Sequence, residues 1–182
     1  MSAFDELAHE HKHIMRMLKV IDHTIEHIKS NRPVPIEIVQ DELDFIKGFA
    51  DQCHHGKEEG VLFKMIELRL SADQKETMNS LIKDHIDGRN FVKNAREDLA
   101  QAGGGNTKAA NALADDLKSY ANLLRSHLRT ESVFFREIKT LLDEKQMKVL
   151  NQECERIEKE LGEHGHFLEM LDRLEASEIL RK

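Results

Sequence analysis

The sequence predicts an all-α protein: an up-down-up-down four-helix bundle with an additional C-terminal helical segment. Three observations carry this expectation. Apolar residues recur at spacings of three and four along the 182 residues and nowhere alternate as in a strand. Helix-forming residues dominate, with only two prolines, one tyrosine and no tryptophan. Punctuation at "NRPVP", "SADQ", "GGGNT" and "DEKQ" divides the chain into four stretches of roughly 28 to 37 residues and a final segment.

The first helix is expected from about Ser2 to Ser30, with Phe4, Leu7, Ile14, Leu18 and Ile21 on one side. "NRPVP" ends it, and a second helix starts near Pro35, since proline suits a first turn. That helix carries Leu43, Ile46, Phe49, Leu62, Ile66 and Leu70. "SADQ" at 71–74 reads as a capping box opening a third helix with Met78, Leu81, Ile82, Val92 and Leu99. "GGGNT" at 103–107 is a loop, followed by a fourth helix with Leu113, Leu117, Leu124, Phe134 and Ile138. "DEKQ" at 143–146 opens a last helical region reaching about Leu180, broken or kinked at Gly162 and Gly165. The whole is read as one domain, 1–182, with the bundle over about 2–142 and the C-terminal extension over about 143–182.

Charge narrows the function classes. Charged residues make up 34% of the chain and the net charge is -7, with no basic run, which argues against a nucleic-acid partner. No apolar stretch is long enough for a membrane span, and the N-terminus does not resemble a signal peptide. Two cysteines, Cys53 and Cys154, are too few for a disulfide framework, so the expected compartment is the cytoplasm. Eleven histidines are the one compositional oddity.

Stepping by three, four and seven residues sorts those histidines by face. His11 shares its face with Phe4, Leu7, Ile14 and Leu18; His85 with Met78, Leu81, Ile82 and Val92; His127 with Tyr120, Leu124 and Phe134. Within "CHHGKEEGVLF" (53–63), His54 and Glu58 fall towards the apolar stripe, while His55 and Glu59 fall on its wetter flank. His9, His23 and His27 are expected to be exposed and His13 intermediate. Two i, i+4 pairs result, His54-x-x-x-Glu58 and His127-x-x-x-Glu131, each stacking on one helix face. His11 precedes the first pair by 43 residues and His85 precedes the second by 42. Two helical hairpins thus present the same order, H…HxxxE.

One inward histidine is ordinarily a hydrogen-bonded core residue. Four of them with two inward carboxylates would bury several polar groups together, which a central cation resolves. Four imidazoles and two carboxylates exceed one tetrahedral zinc and are too rich in nitrogen for magnesium or calcium. They suit two six-coordinate iron or manganese ions bridged by carboxylates.

"EHKHI" (10–14), "CHHGKEEGVLF" (53–63), "DHIDGR" (84–89) and "HLRTESVFF" (127–135), in this order, resemble the signature segments of the hemerythrin-like HHE cation-binding family over nearly the whole chain. The resemblance implies a non-haem di-iron centre, two iron ions with an oxide or hydroxide bridge, which manganese or zinc could replace. The ligands it implies are His11, His54, Glu58, His85, His127 and Glu131. It also implies a small ligand: oxygen, nitric oxide or peroxide. One departure stands out. Oxygen-carrying members have a second histidine four residues after the third-helix one, and here that position is Arg89. His164, which a continuous helix would align with Ile157, Leu161, Phe167 and Leu171, is the candidate to replace it; the alternative is a core or helix-end histidine.

Two function classes follow: a binding or sensing protein, and an enzyme that decomposes peroxide or reduces nitric oxide, which would need a redox partner. The sequence favours the first, because no proton-relay acid or electron-partner motif stands out. A ferritin-like iron oxidase or store would want Glu-x-x-His pairs on two helices. Glu10-x-x-His13 and Glu163-x-x-His166 have that spacing, but His13 and His166 have largely polar neighbours.

Overall fold

The computed structural model describes residues 2–162 and 164–178. The described residues form helices and connections only, without strands. Helix α1 is Ala3–Lys29; Ser2 accepts from the Asp5 backbone N–H and Asp5 accepts from that of Ser2, which satisfies two orphan donors. Asn31, in the left-handed region at φ 59°, turns the chain into the proline segment. A continuous helical rod, α2, follows over 36–66. It begins as an α-helix, Ile36–Phe45, widens into a π-helix over Ile46–His55, widens again over Glu58–Leu62, and closes as Phe63–Ile66.

Both expected capping boxes are present. Ser71 and Gln74 open α3, Ala72–Ala102, and Asp143 and Gln146 open α5, Glu144–Glu160. Between them, α4 runs Thr107–Ile138, capped by the Asn106 side chain. The last helix, α6, is Gly165–Glu175, with His164 at its start. Gly162 sits at φ 89°, a conformation open to glycine, so α5 and α6 are two helices and not one bent one. The expected extension to Leu180 ends outside the described residues. Helices α3 and α4 pack along most of their lengths, and α4 lies against α1. Helix α6 rests on α1 and the first part of α2. There Phe167 occupies the space above Gly48, where a Cβ would come within 2.1 Å of its ring.

The apolar side chains form two clusters. One holds Ile14, Leu18, Phe49, Ala50, Ala95, Leu117 and Leu124; the other holds Phe4, Leu7, Leu62, Leu81, Phe134 and Ile138. On every long helix the inward histidine falls between them: His11 between Leu7 and Ile14, His54 between Ala50 and Leu62, His85 between Leu81 and Ala95, His127 between Leu124 and Phe134. The result is a polar layer walled by hydrocarbon on both sides. No described helix is long and apolar enough to cross a membrane.

Candidate metal centre

His11, His54, Glu58, His85, His127 and Glu131 all lie in this layer, each at most 7% exposed. Their atoms converge. His54 Nε2 is 3.2 Å from Glu58 Oε1, and His85 Nε2 is 3.4 Å from Glu58 Oε2. Glu131 Oε2 lies 3.0 Å from His11 Nε2, 3.5 Å from His127 Nε2 and 3.7 Å from His54 Nε2. His85 Nε2 and His127 Nε2 are 3.2 Å apart.

Two groups with metal-ligand spacing lie in this layer: His55, Glu58, His85 and His127; and His11, His54, Glu58 and Glu131. Glu58 belongs to both, with one oxygen towards each. His55 therefore corrects the helical-wheel assignment. It is buried, and its ring stacks on His85 with centroids 3.9 Å apart. The reason is local: in the π-helix each turn takes more residues, so the angle between neighbours shrinks. His54 and His55 both reach the interior, where an α-helix would point one of them aside. Glu59 stays on the flank as expected, half-buried.

The imidazoles share a second layer of partners. His54 Nδ1 meets Glu10 at 2.8 Å, His85 Nδ1 meets Glu59 at 2.7 Å, His127 Nδ1 meets Asp84 at 3.3 Å, and His55 Nδ1 lies 3.6 Å from Asp51. A carboxylate on Nδ1 fixes the ring and leaves Nε2 free to bind a cation. Sequence reasoning missed Glu10, a charged residue that is 2% exposed. Burial alone would raise its pKa; the hydrogen bond and charge of His54, joined by Lys57, pull it down to about 2. Lys57, also fully buried, bonds Glu10 at 2.7 Å and pairs with Glu6 and Glu158.

The cluster is electrostatically incomplete as a purely organic assembly. Burial, then the neighbouring Glu131, pushes Glu58 well above the usual carboxylate range. Glu131, whose burial alone would raise it, is driven well below that range by the close imidazoles of His11, His127 and His54. Burial takes His55 down to about 3, so it is neutral, as a ligand must be. Among the described residues, nine buried side-chain nitrogen and oxygen atoms have no hydrogen-bond partner, and eight belong to His11, His54, His55, Glu58 and Glu131. Buried polar atoms are normally satisfied, so a knot of orphans aimed at one another marks a place for a bound group.

The remaining candidates lie elsewhere. His164 enters neither of these two groups but forms a third at ligand spacing with Glu10 and Cys53, its Nε2 2.9 Å from Cys53 Sγ and 3.5 Å from Glu10, behind His54. Arg89 turns away from the centre and bonds Asp51 at 2.7 Å and Glu59 at 2.6 Å. The nitrogen absent from α3 is matched by His55 from α2. His27, expected to be exposed, is buried with its ring 3.0 Å from the Pro33 carbonyl. His13 is half-buried and outside the metal-spaced groups. Of the second Glu-x-x-His pair, Glu163 lies outside the described residues.

The model of the hemerythrin HHE cation binding domain matches residues 2–138. The chain belongs to that family. Comparisons with curated proteins and with solved structures gave no match. The matched span of the hemerythrin domain contains the two groups of the central layer in full. It stops where α4 ends, so α5, α6 and His164 are additions outside it. A hemerythrin domain is a cation-binding one, and the His and Glu groups found here suit a metal ion.

Proposed function

We propose that this hemerythrin-family chain is a non-haem di-iron protein that binds or senses oxygen, nitric oxide or peroxide. His55, His85 and His127 would hold one ion and His11, His54 and Glu131 the other, with Glu58 available to both. The convergence of His11, His54, His55, Glu58 and Glu131, all buried with unpartnered nitrogen or oxygen atoms, on two adjoining points carries this reading. Bound iron supplies the redox chemistry by which such a small molecule is held or transformed. The chain's own part is to orient and exclude. Glu10, Glu59 and Asp84 fix three imidazole rings through Nδ1, and the two apolar clusters wall the centre on either side along the bundle. The wider architecture of this reading is a single domain of four long helices, up-down-up-down, with α5 and α6 as the C-terminal extension.

The enzymatic reading gains one specific observation. Glu10, on His54, connects through Lys57 to the half-exposed Glu6 and Glu158. This is a line of ion-paired groups from the surface to a ring of the centre. Turnover through it would need an electron-donating partner.

The test is anaerobic iron loading followed by separate exposure to oxygen, peroxide and nitric oxide, with optical and Mössbauer spectra. Two irons per chain and a reproducible spectral change with one of these molecules are expected. One zinc per chain with no iron uptake would overturn the di-iron reading. Sustained peroxide or nitric oxide consumption would select the enzyme.

A further inference from the structure

A cavity of about 440 Å³ opens on the α2–α3 side of the centre. That lies within the roughly 300–1,000 Å³ typical of sites for small organic molecules and is far more than a diatomic gas requires. Its walls are Ile46, Val92 and the ring of Tyr120, and it reaches inward to the imidazoles of His55 and His85. The ring of Tyr120 lies over Gly88, where a Cβ would be in ordinary contact with it at 3.5 Å.

Two features say what kind of molecule it would take. The first is charge. Lys47, Arg89, Lys93 and Arg96 line the cavity against only Asp51 and Glu97, on a chain whose net charge is -7. Arg89 is held by Asp51 and Glu59, and Arg96 by Asp44 at 2.8 Å. Lys47 and Lys93 are exposed and form no ion pair with any described residue. The second is an available donor. No described residue hydrogen-bonds the Tyr120 hydroxyl, and although the residue is 3% exposed its oxygen is not among the buried atoms without a partner, so it keeps access to the cavity and can donate to a ligand oxygen there.

We propose that this cavity binds a small organic acid, with a hydrocarbon or aromatic body against Ile46, Val92 and Tyr120 and a carboxylate held at the cationic rim by Lys47 and Lys93. Apolar burial supplies the attraction, and the sign of the rim selects acids over amines. An occupant would stand beside the His55 and His85 rings and control access to them. That consequence rests on the metal reading; the binding itself does not.

The chain carries its own reporter. Tyr120 is its single tyrosine and there is no tryptophan, so intrinsic fluorescence reads this cavity alone. Full-length protein, metal-free and iron-loaded, is titrated with octanoate, octanol and octylammonium, following tyrosine emission and calorimetric heat. Octanoate is expected to saturate at one per chain, with a dissociation constant at least tenfold below that of octylammonium. Lys47→Glu with Lys93→Glu, both on the surface, should weaken octanoate at least tenfold and erase the preference for acid. Val92→Trp should abolish binding by filling the wall, with helicity and iron content unchanged. The proposal is overturned if octanoate gives no saturable change, if the three probes bind alike, or if the double variant binds octanoate normally. Iron uptake is measured on the same samples. Two irons without octanoate binding defeat this proposal alone, and octanoate binding without iron uptake defeats the metal reading alone.

Discussion

Replacing His55 by leucine should move the stability of the metal-free and metal-loaded protein in opposite directions. Both ring nitrogens of His55 are buried without a hydrogen-bond partner, and Asp51 lies 3.6 Å away, too far for a good bond. Leaving a buried polar group unsatisfied costs about 1–3 kcal/mol, and leucine is close to imidazole in size. Metal-free His55→Leu should therefore unfold a few degrees higher, since about 1 kcal/mol shifts the midpoint by roughly 2–4 °C in a chain of this length. Loaded protein loses one of three nitrogens around one ion. A hundredfold weaker grip on that ion corresponds to about 2.7 kcal/mol. At micromolar iron the stoichiometry should fall from two to one, with the His11 and His54 position still filled. The assay is thermal unfolding by circular dichroism with and without iron, alongside colorimetric iron analysis. His164→Ala serves as the comparison and should keep both ions. If His55→Leu keeps two irons at unchanged affinity, or if His164→Ala loses one, the placement of these two histidines is refuted.

Three further outcomes follow from the geometry. Glu58→Ala should release both ions, because its two oxygens face different groups, whereas Glu131→Ala should release chiefly the His11 and His54 ion; metal analysis after dialysis distinguishes them. Burial raises Glu42 to about 8 from an ordinary 4.5, so the folded chain holds an extra proton between those values. Its stability is full below about pH 4.5 and declines as pH rises towards 8, on the order of 1.4 kcal/mol per unit. The difference between wild type and Glu42→Gln in denaturant titrations should show this slope, and parallel curves would contradict it. Gly48→Ala should push Phe167 aside, cost about 1–3 kcal/mol and speed proteolysis within α6, with iron held less tightly.

Much of this was legible because an α-helix is a regular ruler. Stepping by three, four and seven found His11, His54, Glu58, His85, His127 and Glu131 in the interior, and the Ser71 and Asp143 boxes marked two helix starts. The ruler fails where the helix changes pitch. His55 was misassigned because 46–55 is wound as a π-helix, and the one hint was the crowding of two histidines at adjacent positions in "CHH". Glu10 and Lys57 were missed for a different reason. Charge predicts exposure only for groups without partners, and these two meet each other and His54 across helices, which no single-helix pattern encodes. His164 looked like part of a continuous apolar face, but Gly162 resets the chain direction before it.

The widened turn of α2 has a mechanical consequence. His54 and His55 are successive residues that serve different metal-spaced groups, so a single peptide unit is shared by both. A shift of that unit, whether from a change in ion size at one point or from pressure by α6 above Gly48, is transmitted to the neighbouring point without passing through any side chain. The two positions behave as the ends of one short rigid link. Filling them should therefore be cooperative, and a loosening of the C-terminal helix should be felt at the centre it never touches.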